Sequence, residues 1–247
     1  MKGVVVDLNY IEDIRDRHAG EEIWVTGAGA SMDDYPIDFF ADKICIGMNN
    51  VYSVFLDIGD GIEKFQHRIF YSVHEHGQWP LAIAKTVPHL LQNCFFLLPP
   101  ARRPGMVWWE DFEEYNDVIH YMQWRLVGGL GVSATEEDFS VMVECMMARQ
   151  GRCHYVVDGT TLHWAVEAAV VLGAKKIYVA GGEAIGGHMQ KHGSFYARSH
   201  PPSRPDINMA HWRVGTATLA RLFKPHGIEI VFYYHDRGEV DPATVTD

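Results

Sequence analysis

The chain has 247 residues, 47% of them hydrophobic and 21% charged, with a formal net charge of −11. This balance is that of a folded globular protein with chain enough for one complete core, and the acidic charge argues against a duplex-binding protein, whose phosphate contacts need a surplus of Lys and Arg. No apolar run reaches the ~18 residues that cross a bilayer, and the opening MKGVVVD meets an acid too early for a signal peptide.

Along the chain, short apolar runs alternate with helical segments. Residues 22–26 (EIWVT) form the first run and stop at Gly27-Ala28-Gly29-Ala30-Ser31. Residues 43–48 end at Asn49-Asn50, and residues 68–73 end at His74-Glu75-His76-Gly77. Residues 99–151 are rich in Trp, Met and Glu with little punctuation, which predicts a helical insertion. Residues 161–172 are apolar except for His163 and Glu167, one turn apart on one face, and Gly173 closes that helix. Residues 176–180 form a further strand ending at Gly181-Gly182-Glu183. Residues 207–223 form a second helix, with Trp212, Gly215, Leu219, Leu222 and Phe223 along its apolar stripe. His211 sits at the edge of that stripe, and residues 228–233 are the last strand. Runs buried on both faces and separated by helices predict a mostly parallel sheet in a Rossmann-like α/β fold. The four cysteines, Cys45, Cys94, Cys145 and Cys153, show no CxxC spacing, so the sequence predicts no disulfide framework and no zinc ribbon. The expectation is one cytoplasmic domain spanning 1–247.

Open α/β sheets bind ligands at the carboxyl ends of their strands. Here those ends carry glycines, hydroxyls and amides, the groups that approach a phosphate closely. The predicted nucleotide-binding rim is Gly27, Ala28, Gly29, Ser31, Asn49, Thr160, Thr161, Gly181 and Glu183, with His74 and His76 beside it for substrate. The details exclude commoner nucleotide folds. Met32 stands where a dinucleotide fingerprint needs its third glycine, the second strand ends in asparagine rather than an acid, and there is no GxxxxGK[ST] run. The histidine groups, 74 with 76 and 188 with 192, lie on glycine-rich loops rather than at i, i+4 on a helix, so they predict no metal site. The long segment 186–206 carries His188, Lys191, His192, Tyr196, Arg198, His200 and Arg204, a locally basic lid over the rim. Arg198 and its neighbours suit an anionic leaving group, which needs donors as its charge develops.

Taken in order, these motifs resemble a superfamily that includes the bacterial lipooligosaccharide sialyltransferases and the archaeal-type hydroxymethylpterin diphosphokinase-like proteins. The family turn G-[AN]-G-P-S-L is matched by residues 27–32 (GAGASM), and its asparagine followed closely by an aromatic by Asn49 and Tyr52. Its hydroxyl pair, apolar helix and LG-x-K-x-I-Y-x-x-G-x-D run are matched by Thr160-Thr161 and residues 172–183 (LGAKKIYVAGGE). The S-S-Y-A element of the sialyltransferase lid is similar to Ser194-Phe195-Tyr196-Ala197. Ala30 stands where the family has proline and Glu183 where it has aspartate.

The resemblance implies a glycosyltransferase that takes a sugar from a nucleotide donor, a cytidine monophosphate sugar, to an acceptor hydroxyl by direct displacement. Tyr196 would support the leaving phosphate and His211 would deprotonate the acceptor. The diphosphokinase side of the resemblance implies pyrophosphoryl transfer from a nucleoside triphosphate, with Mg²⁺ held by carboxylates such as Asp33, Asp34, Asp57 and Asp60. A third reading is a nucleotide-binding module without catalysis. The acceptor is a small molecule or glycan, and a glycolipid acceptor would bring the protein to a membrane surface. The sequence is also compatible with a homo-oligomer.

Overall fold

The apolar runs become strands because each is buried along nearly its whole length, leaving no solvent face for alternation. In the computed structural model the described residues are 9–36, 39–48, 51, 70–73, 94–98, 119–122, 124–126, 134–149, 151–157, 160–182 and 209–245. Their elements in chain order are β1 (Glu22–Thr26), β2 (Ile44–Met48), β3 (Phe70–Val73), β4 (Cys94–Leu98), β5 (Ile119–Tyr121) and β6 (Trp124–Leu126). These are followed by α1 (Glu136–Ala148), β7 (Tyr155–Val157), α2 (Thr161–Val171), β8 (Lys176–Ala180), α3 (Met209–Phe223), β9 (Glu229–Tyr234) and β10 (Gly238–Val240).

Eight of these strands form one sheet in the order β10-β9-β8-β1-β2-β3-β4-β5, and β6 pairs with β7 separately. Among the described pairs only β9–β10 is antiparallel. The central register sets Trp24 between Tyr178 on β8 and Cys45 on β2. This is the mostly parallel, helix-flanked α/β architecture that the alternating runs predict. Among the described residues, no helix is long and apolar enough to cross a membrane.

Within residues 99–151 the described residues include strands as well as a helix, which the expectation of a helical insertion does not contain. The described part holds two strands and a single helix, α1, and β5 extends the main sheet by pairing Ile119 with Phe96 of β4. The physical reason is that a three-residue strand carries no periodicity of its own. β5 forms because β4 would otherwise offer unpaired backbone groups along its edge.

The two faces of the sheet are covered differently. One carries α2 and α3, whose Leu162, Val166, Leu219 and Phe223 pack with Ile23, Val25, Ile177 and Phe232 in the main core. On the other face Trp24 stacks on Tyr178 (ring centroids 4.4 Å apart) and meets Tyr233 edge-on at 4.9 Å. The chain between β1 and β2 covers this layer with Tyr35, Phe39 and Phe40, and the Tyr35 hydroxyl donates to the Tyr233 carbonyl at 2.5 Å.

Helix α2 is buried at every position. It lies between the sheet and α1 and α3, so even its polar residues His163 and Glu167 are fully enclosed. Neither carboxyl oxygen of Glu167 reaches a donor within hydrogen-bonding geometry among the described residues. Burial therefore raises its carboxyl well above the usual range, the Val156 backbone opposing this only in part. A carboxyl raised in the folded state contributes stability that is complete below its unfolded pKa of about 4.3 and is lost as pH rises through the folded value. Glu167→Gln has no such titration. Its stability relative to wild type is expected to improve steadily between pH 4 and pH 7, read from urea midpoints at both ends. Equal differences at the two pH values would show that Glu167 has found a compensating partner.

Candidate functional site

The ladder between β1 and β8 does not stop at the strand ends. The Gly27 N–H donates to the Ala180 carbonyl at 2.7 Å and the Gly29 N–H to the Gly181 carbonyl at 2.8 Å. Two backbones meet here with no room for side chains. A Cβ on Gly27 would lie 2.3 Å from the Gly181 oxygen, and one on Gly181 would lie 2.7 Å from the Gly27 oxygen. Gly181 also has φ +66°, a left-handed conformation that glycine adopts without strain. The glycines that the sequence places after two separate apolar runs are thus one contact.

This contact coincides with the reversal of strand order. After β1 the chain passes through a short 3₁₀ turn, Ala30–Asp34, to the aromatic face and on to β2. After β8 the next described element, α3, lies on the opposite face with α2 and leads to β9. With the 3₁₀ turn after β1 on one face and α3 on the other, the β1–β8 pair is the switch point of the sheet, and open α/β sheets hold ligands at the carboxyl ends of the strands at such a point. Ala28 and Ser31 are half-buried at this rim, and Gly27 and Gly29 are buried.

The amino end of α2 reaches the same edge. Thr160 is its N-cap, and its hydroxyl oxygen accepts from the Leu162 N–H at 3.1 Å. Leu162 in turn abuts the end of β8, since a Cβ on Gly182 would lie 3.1 Å from Leu162 Cδ1. Thr160 and Thr161 are each only 5% exposed, so they seal and cap the rim from the α2 side.

The sequence marks His163 only as a polar exception in an apolar helix. In the structure it is the tie between α2 and α3. Its ring lies against Gly215, where a Cβ would come within 2.2 Å of Cε1, and Phe139 of α1 meets it edge-on at 5.5 Å. His163 Nε2 donates to the Trp212 carbonyl at 3.2 Å, a tautomer assigned from the acceptor. Burial pushes this imidazole down to about 4, the Trp212 bond opposing, so it is neutral in the physiological range. A glycine within the apolar stripe of a helix, as at 215, is the sequence signal for such a close approach. The consequence is positional. His211, the third residue of α3, precedes the Trp212 carbonyl that His163 holds, so the first turn of α3 is anchored to the helix whose amino end forms the rim.

Of the predicted site, Gly27, Ala28, Gly29, Ser31, Thr160, Thr161 and Gly181 lie at this end of the sheet, and His211 lies in the first turn of α3. Asn49, His74, His76, Glu183, Tyr196, Arg198 and the lid 186–206 lie outside the described residues. Asp33 is half-buried and Asp34 exposed in the 3₁₀ turn. Among the described residues no group of three His, Cys, Asp or Glu is arranged to hold a metal ion.

No protein-family model matches the chain, and no curated protein matches it in sequence. Among solved structures it is similar to the sialyltransferase CstII from Campylobacter jejuni in complex with cytidine-5′-monophosphate. The identity is 14% and the TM-score 0.42, over 87% of this chain and 80% of that one. A tyrosine-to-phenylalanine variant of the sialyltransferase CST-II in complex with CMP gives 14% identity and a TM-score of 0.47, over 87% and 82% of the two chains. The Campylobacter jejuni enzyme in complex with CMP-3FNeuAc gives 14% and 0.46, over 88% and 82%.

Proposed function

We propose that the protein is a glycosyltransferase that moves a sugar from a cytidine monophosphate donor to an acceptor hydroxyl by direct displacement. The observation that carries this reading is the switch point at the β1–β8 reversal. There the Gly27–Gly181 contact joins the two strand ends and the amino end of α2 abuts the end of β8, while His211 belongs to the anchored first turn of α3. The order of motifs from the glycine turn to the lid tyrosine supplies the chemistry. Backbone N–H groups and hydroxyls at residues 27–31 and 160–161 are the donors for the nucleotide phosphate. Asn49 and Glu183 complete the nucleotide site, and His74, His76 and Arg198 contact the substrates.

In the reaction, the His211 imidazole accepts the proton of the acceptor hydroxyl as its oxygen attacks the anomeric carbon. Imidazole suits the task because its ordinary pKa lies near neutrality. The bond from that carbon to the phosphate oxygen breaks, and Tyr196 and the basic lid donate hydrogen bonds to the departing cytidine monophosphate as its charge develops.

A thermal-shift panel of nucleotides and nucleotide sugars, with and without Mg²⁺, tests the reading. A ligand at 100 times its Kd adds about 2.7 kcal/mol of stability, about 5–10 °C in Tm for a chain of this size. Cytidine monophosphate and its sugars are expected to stabilise without metal. Stabilisation confined to triphosphates with Mg²⁺ would instead support pyrophosphoryl transfer. Stabilisation by cytidine nucleotides without sugar transfer to any acceptor would leave a binding module.

A further inference from the structure

We propose that Cys145 and Cys153 are a paired dithiol that closes an intramolecular disulfide when it meets a small-molecule disulfide such as oxidised glutathione. Their spacing of eight residues gives no motif, but the fold turns the chain back between them. Helix α1 ends at Ala148, Arg149 takes the left-handed conformation (φ 54°), and the chain returns toward β7. The two sulfurs come within 2.8 Å, less than an ångström longer than the ~2.05 Å of a disulfide.

Both cysteines are held in place by groups from the segment before β1. The Cys153 N–H donates to Glu12 Oε1 at 3.0 Å, and the Tyr155 hydroxyl donates to the same oxygen at 2.7 Å. Beside Cys145, Arg15 Nη1 donates to the Met146 carbonyl at 3.3 Å. Arg149 binds both carboxylate oxygens of Asp16, at 2.6 and 3.2 Å, which fixes the turn between the two cysteines. Bond formation needs the two sulfurs to close by less than an ångström.

The order of steps follows from exposure. Cys145 is half-exposed and Cys153 fully buried, so Cys145 meets the oxidant first. Cys145 loses its proton to solvent and its sulfur attacks one sulfur of the small disulfide. One small thiolate leaves, takes up a proton, and a mixed disulfide remains on Cys145. Cys153 then loses its proton, and its sulfur attacks the Cys145 sulfur and expels the second small thiolate, which is protonated in turn. Two protein S–H bonds are replaced by one S–S bond, and the small disulfide is reduced to two thiols. Burial, with the neighbouring Cys145 and Glu12, pushes the Cys153 thiol up to about 12, so Cys153 is not the sulfur that attacks the small disulfide first.

The test is incubation of the whole purified protein with oxidised glutathione, followed by mass spectrometry without reductant. The expected product is lighter by two hydrogens, gives a peptide cross-linked between residues 145 and 153, and melts about 5–10 °C higher, as a short closed loop should. Dithiothreitol should reverse both changes, and Cys145→Ser should abolish them. Cys153→Ala probes the buried partner, and it should stop at the mixed disulfide on Cys145. Should that variant fail to fold, the wild-type peptide map and Cys145→Ser decide the matter. A wild-type protein that stays glutathionylated at Cys145, cross-links through Cys45 or Cys94, or keeps every thiol free would overturn the proposal.

Discussion

Gly181→Ala is expected to lower stability by about 2–5 kcal/mol, the sum of a left-handed alanine and an overfilled contact. The first contribution arises because the backbone of residue 181 stands at φ +66°. The second arises because the new methyl would sit 2.4 Å from Met32 Cγ and 2.7 Å from the Gly27 oxygen. The Met32 side chain can turn aside; the Gly27 backbone cannot move without breaking the 2.7 and 2.8 Å hydrogen bonds that extend the β1–β8 ladder. Gly238→Ala separates the two contributions. It has φ +74° but nothing within 4 Å of its added Cβ, so it should lose only the conformational part, about 1–2 kcal/mol. Thermal melts of both variants, with and without cytidine monophosphate, make the comparison. Gly181→Ala should fall well below Gly238→Ala and lose its nucleotide-induced shift as well. Equal melting temperatures for the two variants would mean that the contact yields without cost and that it does not set the geometry of the β1–β8 strand ends.

His211→Ala should leave the fold and nucleotide binding close to wild type while lowering transfer from a cytidine monophosphate sugar by a factor on the order of 10²–10⁴, the loss expected for a positioned proton acceptor. The reason to expect little structural damage is that the anchoring of α3 belongs to other residues. His163 holds the Trp212 carbonyl and fills the space over Gly215, Thr216 Oγ1 donates to that same carbonyl at 2.7 Å, and Leu219 and Phe223 carry the core packing. If His211 only packs, the pattern reverses, with a lower melting temperature and activity that follows the amount of folded protein. Melting temperature, nucleotide Kd and turnover measured on one preparation distinguish the outcomes. A variant that melts normally and transfers sugar at the wild-type rate would remove His211 from the reaction and, with it, the main chemical reason for reading this switch point as a glycosyl-transfer site.

Part of the candidate site is legible because it is local. A glycine turn after a strand needs only the adjoining residues, so Gly27, Gly29 and Gly181 can be picked out one by one, and Thr160 follows from the start of an apolar helix. Their relation to one another is not local. That Gly27 and Gly181 press backbone on backbone depends on β1 and β8 being neighbours, which no window of sequence contains. His163 escapes for the same reason. Its role depends on Gly215 facing it from another helix, and either residue alone reads as an imperfection in an apolar pattern.

The fold class, β1, β2, β3, β8 and β9, and the extents of α2 and α3 to within two residues or so, are readable from local pattern. These elements are long or apolar enough for burial to dominate the local choice of conformation. β4 to β7 and β10 come from the tertiary structure, since the chain-order reading of apolar runs does not mark them and each forms where a neighbouring strand offers unpaired backbone groups. The tertiary structure also decided the reversal of strand order, the seat of His163 on Gly215 and the meeting of Cys145 with Cys153. Each of these is a contact between segments that are separate along the chain, and its energy exists only once the sheet and its helices have packed.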